Sequence, residues 1–208
     1  MKIVLLGQIA SGKGTLSQKL QEEFGFEAIS IGHLLREECK KNTPEAKAIN
    51  ECLEKGQLVS NELAIAVLKR RLQELGDKNI IFDGYPRNIV QAQTLATVAK
   101  IDCVLVLNVP DDVVKERFMG RRECTNCGFV SNIKFESFNL PCPRCGGAFG
   151  KRNDLNEEAM QNKMRSFEKD TKPLVEFYKQ FGIAYEIDAS QNADVTYKQA
   201  KNIIKQYL

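Results

Sequence analysis

The sequence predicts an α/β protein, a parallel sheet with helices on both faces. Three observations carry this. Short apolar runs alternate with helical patterns along most of the chain. The first run, Ile3-Val4-Leu5-Leu6, passes straight into a glycine-rich loop and then a helix. Residues near 120–155 break the pattern with Gly, Pro and Cys, which reads as a small insertion in the α/β core.

The elements follow in order. After the first run comes Gly7-Gln8-Ile9-Ala10-Ser11-Gly12-Lys13-Gly14-Thr15. Leu16, Leu20 and Phe24 then recur at helical spacing, and Gly25 is a natural stop. A helical stretch containing Arg36 lies between Ile29 and Val59. Ile80-Ile81-Phe82-Asp83 reads as a buried strand ending in a carboxylate. Val104 to Val109 is another strand, with Pro110 and Asp111 starting a helix. Inside the insertion, Phe129-Val130 and Ile133-Lys134-Phe135 look β-like, and helical patterning resumes at about Glu157. Tyr185 to Asp188 forms a last strand and Val195 to Tyr207 a last helix. In such sheets ligands sit beyond the carboxyl ends of the strands, where the glycine loop and Asp83 both fall.

Composition narrows the class. The chain has 208 residues, 43% of them hydrophobic, ample for one α/β domain with an insertion. A formal net charge of +3 gives no reason to expect nucleic acid or a membrane surface as partner. No apolar run approaches the roughly 20 residues that span a bilayer. A first strand starting at Lys2 leaves no room for a secretory signal, so the cytoplasm is the expected compartment. Seven cysteines would be unusual there as disulfides.

The loop defines the ligand class. Gly7-x4-Gly12-Lys13 lets backbone N–H groups converge at a helix N-terminus, and Lys13 adds a full positive charge. Such a loop cradles nucleotide phosphates. An ordinary glycine turn is the alternative, disfavoured because strand, loop and helix are all present. The usual hydroxyl after the lysine is displaced to Thr15, which leaves Mg²⁺ held mainly by phosphates and water. Asp83 offers that metal a carboxylate; a turn or cap residue is its plainer reading. Arg87, in Gly84-Tyr85-Pro86-Arg87, can grip a phosphate with both arms of its guanidinium. Arg36 and Arg87 would each be ordinary alone.

Four cysteines form two Cys-x2-Cys pairs, Cys124/Cys127 and Cys142/Cys145, with fourteen residues between them. Four thiolates complete a tetrahedral Zn²⁺ site with no open position, which makes the metal structural. Four unrelated thiols, a redox pair and an Fe–S centre are the alternatives. A segment this short would need the metal for its folding energy. Cys39, Cys52 and Cys103 read as packing residues. Nucleic-acid binding by the ribbon gains little, since only Phe129, Phe135 and Phe138 offer a stacking surface.

With the loop, Asp83-Gly84-Tyr85-Pro86-Arg87 and the cysteine insertion in this order, the chain resembles the adenylate kinases, specifically the long form with a zinc-bearing lid. The likeness runs almost end to end. It implies reversible phosphoryl transfer from ATP to AMP giving two ADP, with Mg²⁺ and a structural Zn²⁺. It implies a phosphate-loop core over 1–29, 60–119 and 157–208, a nucleoside-monophosphate segment over 30–59, and a lid over 120–156. Ala10, Ser11, Gly12, Lys13, Gly14 and Thr15 would form the ATP loop. Arg36 and Arg87 would hold the AMP phosphate. Ile31, Gln57, Leu58, Val59, Gly84, Tyr85, Pro86 and Gln91 would shape the AMP site, Gln91 reading adenine. Arg117 and Arg121 would meet ATP from the lid side, with Gln191 offering backbone to its adenine. Arg152 would clamp the phosphates, helped by Lys163, and Asp83 would organise metal-bound water. An enclosing core and no obvious apolar seam favour a monomer, and the charge gives no reason to expect nucleic-acid or membrane partners.

The chain also departs from the family pattern. Ile31 stands where Thr is usual, His33 where Asp is usual, Leu155 as the second of two usual Asp, Lys163 for Arg, and Ile9 for Pro. His33 reads as a surface residue on a first helical turn, and Arg165, two residues after Lys163 on a different helix face, as partial compensation for it. A kinase for another nucleoside monophosphate, or a catalytically weakened nucleotide-binding protein, are the alternatives that these departures raise.

Overall fold

In the computed structural model, residues 1–41, 43–134, 140–152 and 154–207 are described. Five strands form one parallel sheet: β1 (Lys2–Gly7), β2 (Glu27–Ser30), β3 (Ile80–Asp83), β4 (Cys103–Asn108) and β8 (Ala184–Asp188), in the order β2-β3-β1-β4-β8. Side chains alternate across each strand, so each buried strand feeds two cores. Val4, Leu6, Phe82, Val104 and Val106 face one way. Ile3, Leu5, Ile81, Leu105 and Leu107 face the other.

Helices cover both faces. On the first face lie Leu35 of α2 (Ile31–Cys39), Ile49 of α3 (Pro44–Glu54), Leu68 of α4 (Asn61–Leu75) and Leu95 of α5 (Ile89–Val98). Leu174 of α8 (Lys172–Lys179) joins them. On the second lie Leu16 and Leu20 of α1 (Lys13–Phe24), Val114 of α6 (Asp111–Gly120), and Ala200 and Ile204 of α9 (Ala193–Ile204). Gly25 ends α1 in a left-handed conformation, as its position suggested. The edge strand β2 has no counterpart in the sequence reading, because only four residues of weak alternation mark it.

A second, antiparallel sheet rises from the end of α6. It orders β6 (Val130–Asn132), β5 (Arg121–Cys124) and β7 (Phe149–Gly150). Val130 is in a strand as expected, but Ile133 and Lys134 form a turn; Phe135 and Phe138 lie outside the described residues. Asn132 anchors this sheet to α6: its amide donates to the Arg117 carbonyl at 3.0 Å. It occupies the space a side chain at Gly120 would need, since a Cβ there would lie 2.4 Å from Asn132 Oδ1. The chain then returns through α7 (Glu157–Ser166) and a π-helical turn (Phe167–Thr171) into α8. Pro173 accounts for the wide turn, because it lacks an N–H and its ring crowds the carbonyl one turn back. Among the described residues, no helix is long and apolar enough to cross a membrane.

Candidate active site

The parallel register brings the chemistry to one edge. Asp83 pairs with Leu5 and with Ser30, so its carboxylate sits at the carboxyl end of the sheet, level with the start of the loop. Gly7 turns the chain at φ 149, where a Cβ would lie 2.7 Å from Ser11 Oγ and 2.8 Å from the Leu107 carbonyl. Gly12 enters α1 at φ 96, and no side chain caps that helix, which leaves first-turn N–H groups free for an anion. Lys13 Nζ donates to the carbonyls of Gly7 at 2.8 Å and Gln8 at 2.6 Å, and to Ser11 Oγ at 3.3 Å. Burial pushes its pKa down to about 8, against the raising effect of Asp83. Ser11 is buried, whereas Gly14 and Thr15 are exposed on the first turn. A side chain at Gly14 would come within 4.0 Å of Asp83 Oδ2, which places the carboxylate beside the loop.

One cleft gathers Ala10, Lys13, Arg36, Gln57, Leu58, Asp83, Gly84, Pro86, Arg87, Arg121, Arg152 and Lys163. Asp154, Leu155, Phe118, Phe167 and Thr171 complete its walls. Six cationic side chains around the cleft, Lys13, Arg36, Arg87, Arg121, Arg152 and Lys163, repel one another. Burial and then Arg152 push the Arg121 guanidinium down to about 10. Burial likewise lowers Arg36 and Arg87, and Arg152 adds to both shifts. Among the described residues the buried Nε–H groups of Arg121 and Arg152 have no aligned hydrogen-bond partner, although Arg152 Nε lies 3.1 Å from a Glu123 oxygen and 3.3 Å from an Asp154 oxygen. A cleft with crowded cations and unsatisfied donors is suited to a polyanion.

Other site residues have different places. Ile31, Val59, Tyr85 and Gln91 are buried beneath the cleft rather than in its lining. The Gln91 amide supports the arginine loop: its Oε1 accepts from the Arg87 N–H at 2.8 Å, and its Nε2 donates to Asn61 Oδ1 at 2.9 Å. Arg87 Nε donates to the Gly84 carbonyl at 2.8 Å, and Thr171 donates to the Arg87 carbonyl at 2.9 Å. Arg117 donates to the carbonyls of Ala189, Ser190 and Gln191 at 2.8, 2.8 and 2.9 Å, so Arg117 and Gln191 meet outside the phosphate cleft. His33 is exposed, as read.

The expected compensation by Arg165 is corrected. Lys163 itself enters the cleft and donates to Asp154, with its ammonium 5.7 Å from the Phe118 ring centre. Arg165 bonds Asn162 Oδ1 at 2.5 Å and lines another hollow with Gln8 and Asp111. Two residues turn the helix by about 200°, so both cannot share a face. Asp154 stays below its ordinary carboxylate pKa: burial opposes its charge, but Arg152 and then Lys163 outweigh it. Glu123 and Asn61 escaped the sequence reading. Glu123 could have been noticed as the residue two after Arg121, on the same strand face.

The four thiols converge at one end of β5, Cys124 from the strand and Cys127, Cys142 and Cys145 from the turns beside it. Sγ of Cys124 and Cys145 are 3.5 Å apart, those of Cys127 and Cys142 are 3.6 Å apart, and all four lie within 4.8 Å of one another. Zn–S bonds of about 2.3 Å in a tetrahedron require sulfurs roughly 3.8 Å apart. A Cβ at Gly147 would intrude to 3.0 Å from Cys124 Sγ, so only glycine lets this backbone approach the cluster. The Gly146 N–H bonds the Cys142 carbonyl at 2.8 Å, closing the turn of the second pair. The donor set and its spacing fit a structural zinc.

Comparison with known proteins decides the family. The family model described as Adenylate kinase matches residues 5–183. The chain belongs to the adenylate kinase family. It is similar to an adenylate kinase of Archaeoglobus fulgidus, 34% identical over 99% of this chain and 98% of that protein. An adenylate kinase of Methanosarcina barkeri is 36% identical over the full length of both. One from Elusimicrobium minutum is 34% identical over 98% of each. The chain is therefore an enzyme, a nucleoside monophosphate kinase, and adenylate kinases work on ATP as its Mg²⁺ complex.

Proposed function

We propose that the cleft transfers a phosphoryl group reversibly between MgATP and AMP, giving two ADP. One observation supports this most: the buried Nε–H groups of Arg121 and Arg152, without an aligned hydrogen-bond partner among the described residues, face a cleft that Lys13 also lines. Phosphoryl transfer asks for in-line placement and neutralised charge more than for covalent chemistry. In this reading the loop from Ala10 to Thr15 and the uncapped start of α1 hold the ATP phosphates. Arg36 and Arg87 hold the AMP phosphate, Gln91 keeping the Arg87 loop in place. Arg121, Arg152 and Lys163 close over the transferring group. Mg²⁺, arriving with ATP, would add charge neutralisation, with Asp83 the carboxylate beside the loop that could organise its water. Segments 30–59 and 120–156 move over the core, shutting out water so that ATP is not hydrolysed. The zinc stiffens the lid without meeting substrate.

Phosphoryl transfer from MgATP to AMP, GMP, CMP and UMP tests the reading. AMP is expected to be the preferred acceptor. Turnover with UMP alone would remove the adenine assignment, and none with any acceptor would remove the transfer reading.

A further inference from the structure

Transfer needs cations in the cleft, yet one carboxylate stands among them without a role. Glu123 follows Arg121 by two residues on β5, so strand alternation carries both side chains to the cleft face. Its side chain is 15% exposed. Oε2 lies 3.1 Å from Arg152 Nε, and Oε1 lies 3.7 Å from Arg36 Nη2. Despite 3.1 Å, neither Oε2 nor Nε is hydrogen-bonded, so the contact is one of charge without alignment. Asp154 differs, because it accepts a hydrogen bond from Lys163 as well as facing Arg152 at 3.3 Å. Glu123 therefore ties the antiparallel sheet to α2 through Arg36, and meets with Arg152 a second arginine that the transfer reading gives to phosphate.

We propose that Glu123 is a positioning residue that competes with substrate phosphate: its carboxylate occupies the anion position between Arg36 and Arg152, and AMP must displace it. The proposal rests on the transfer reading of those arginines. A phosphate has more oxygens and more charge than a carboxylate, and can align with donors that Glu123 meets poorly. It therefore wins, but its apparent affinity falls by the fraction of protein in which Glu123 holds the site. The same contact offers the arginines a partner as product leaves, so the empty cleft is not left with unpaired buried charge.

Calorimetric binding of AMP tests this with the zinc-loaded wild type, Glu123→Gln, Glu123→Val and Arg36→Ala. Zinc content is checked in each, because Glu123 precedes Cys124. Both Glu123 variants are expected to bind AMP about threefold or more tighter, with a matching fall in KM. A merely structural residue would give weaker binding when changed. Unchanged or weaker AMP binding by a folded, zinc-loaded Glu123→Gln protein overturns the proposal. If Arg36→Ala leaves AMP affinity intact, the transfer reading of Arg36 itself fails. If Arg36→Ala weakens AMP binding while the Glu123 variants gain nothing, only the present inference fails. Amide exchange of the empty wild type needs no variant: slow exchange is expected in both α2 and β5, and fast exchange in both counts against the contact.

Discussion

Lys13 is held by its own loop, with Gly7 and Gln8 carbonyls accepting from its ammonium. Burial pushes its pKa to about 8, so it is mostly charged at pH 7. ATP phosphates favour the charged form, so the pKa in the complex is higher than in the free protein. Below about pH 8 binding moves no proton at this site; above it binding takes one up. ATP affinity should therefore be flat from pH 6.5 to 7.5 as far as Lys13 is concerned, then fall by up to about tenfold per unit above 8. Calorimetry in buffers of different ionisation enthalpy would show the proton uptake. Lys13→Met should lower kcat by about 10²-fold or more, as loss of a preorganised charge does elsewhere. Gln91 illustrates another residue-scale effect. It accepts the Arg87 N–H and donates to Asn61, all beneath the cleft. Gln91→Ala leaves that N–H unpaired at a cost of about 1–3 kcal/mol. The KM for AMP should rise roughly tenfold while that for ATP changes little, and steady-state kinetics separate the two.

Elements were legible to different degrees. The β1 and β3 strands, the loop and α1 were plain because each is decided by neighbours in sequence: apolar runs, glycines at fixed spacing, a stop at Gly25. The edge strand β2 was not, since its four residues become a strand only by pairing with β3. The π-helical turn had a local cause in Pro173, but its use, placing Phe167 and Thr171 on the cleft wall, depends on the fold. The cysteine pairs were readable as a metal site, although only folding brings Sγ atoms from β5 and the later turn within 4.8 Å. A three-stranded sheet with this little apolar interior depends on its metal. Chelation of the zinc, or Cys142→Ser, should unfold the 121–150 sheet while the parallel core persists. Circular dichroism and zinc content would show partial loss of structure at a lowered first transition, with transfer activity falling in step.

Across the whole molecule, two layers of helix clamp the parallel sheet, and the chemistry lies at one edge where loops from several elements meet. The core strands are buried, whereas the segments that cover the cleft make charge contacts such as Arg36 with Glu123. Such contacts are more easily broken than a packed sheet. Adding ATP and AMP together should slow amide exchange over 30–59 and 120–156 and leave β1, β3 and β4 nearly unchanged. Equal slowing everywhere would argue against two mobile segments on a rigid core. By itself the sequence determined the fold class, the phosphate loop, Asp83 and Arg87 at one strand end, and the four thiols, because each is written in residues a few positions apart. Only the tertiary structure decided that Lys163 and not Arg165 enters the cleft, that Ile31 and Gln91 lie beneath it, and that Glu123 reaches Arg36. Those outcomes depend on which face of a helix or strand meets a partner more than eighty residues away in the last case, and pairing at that range is set by packing.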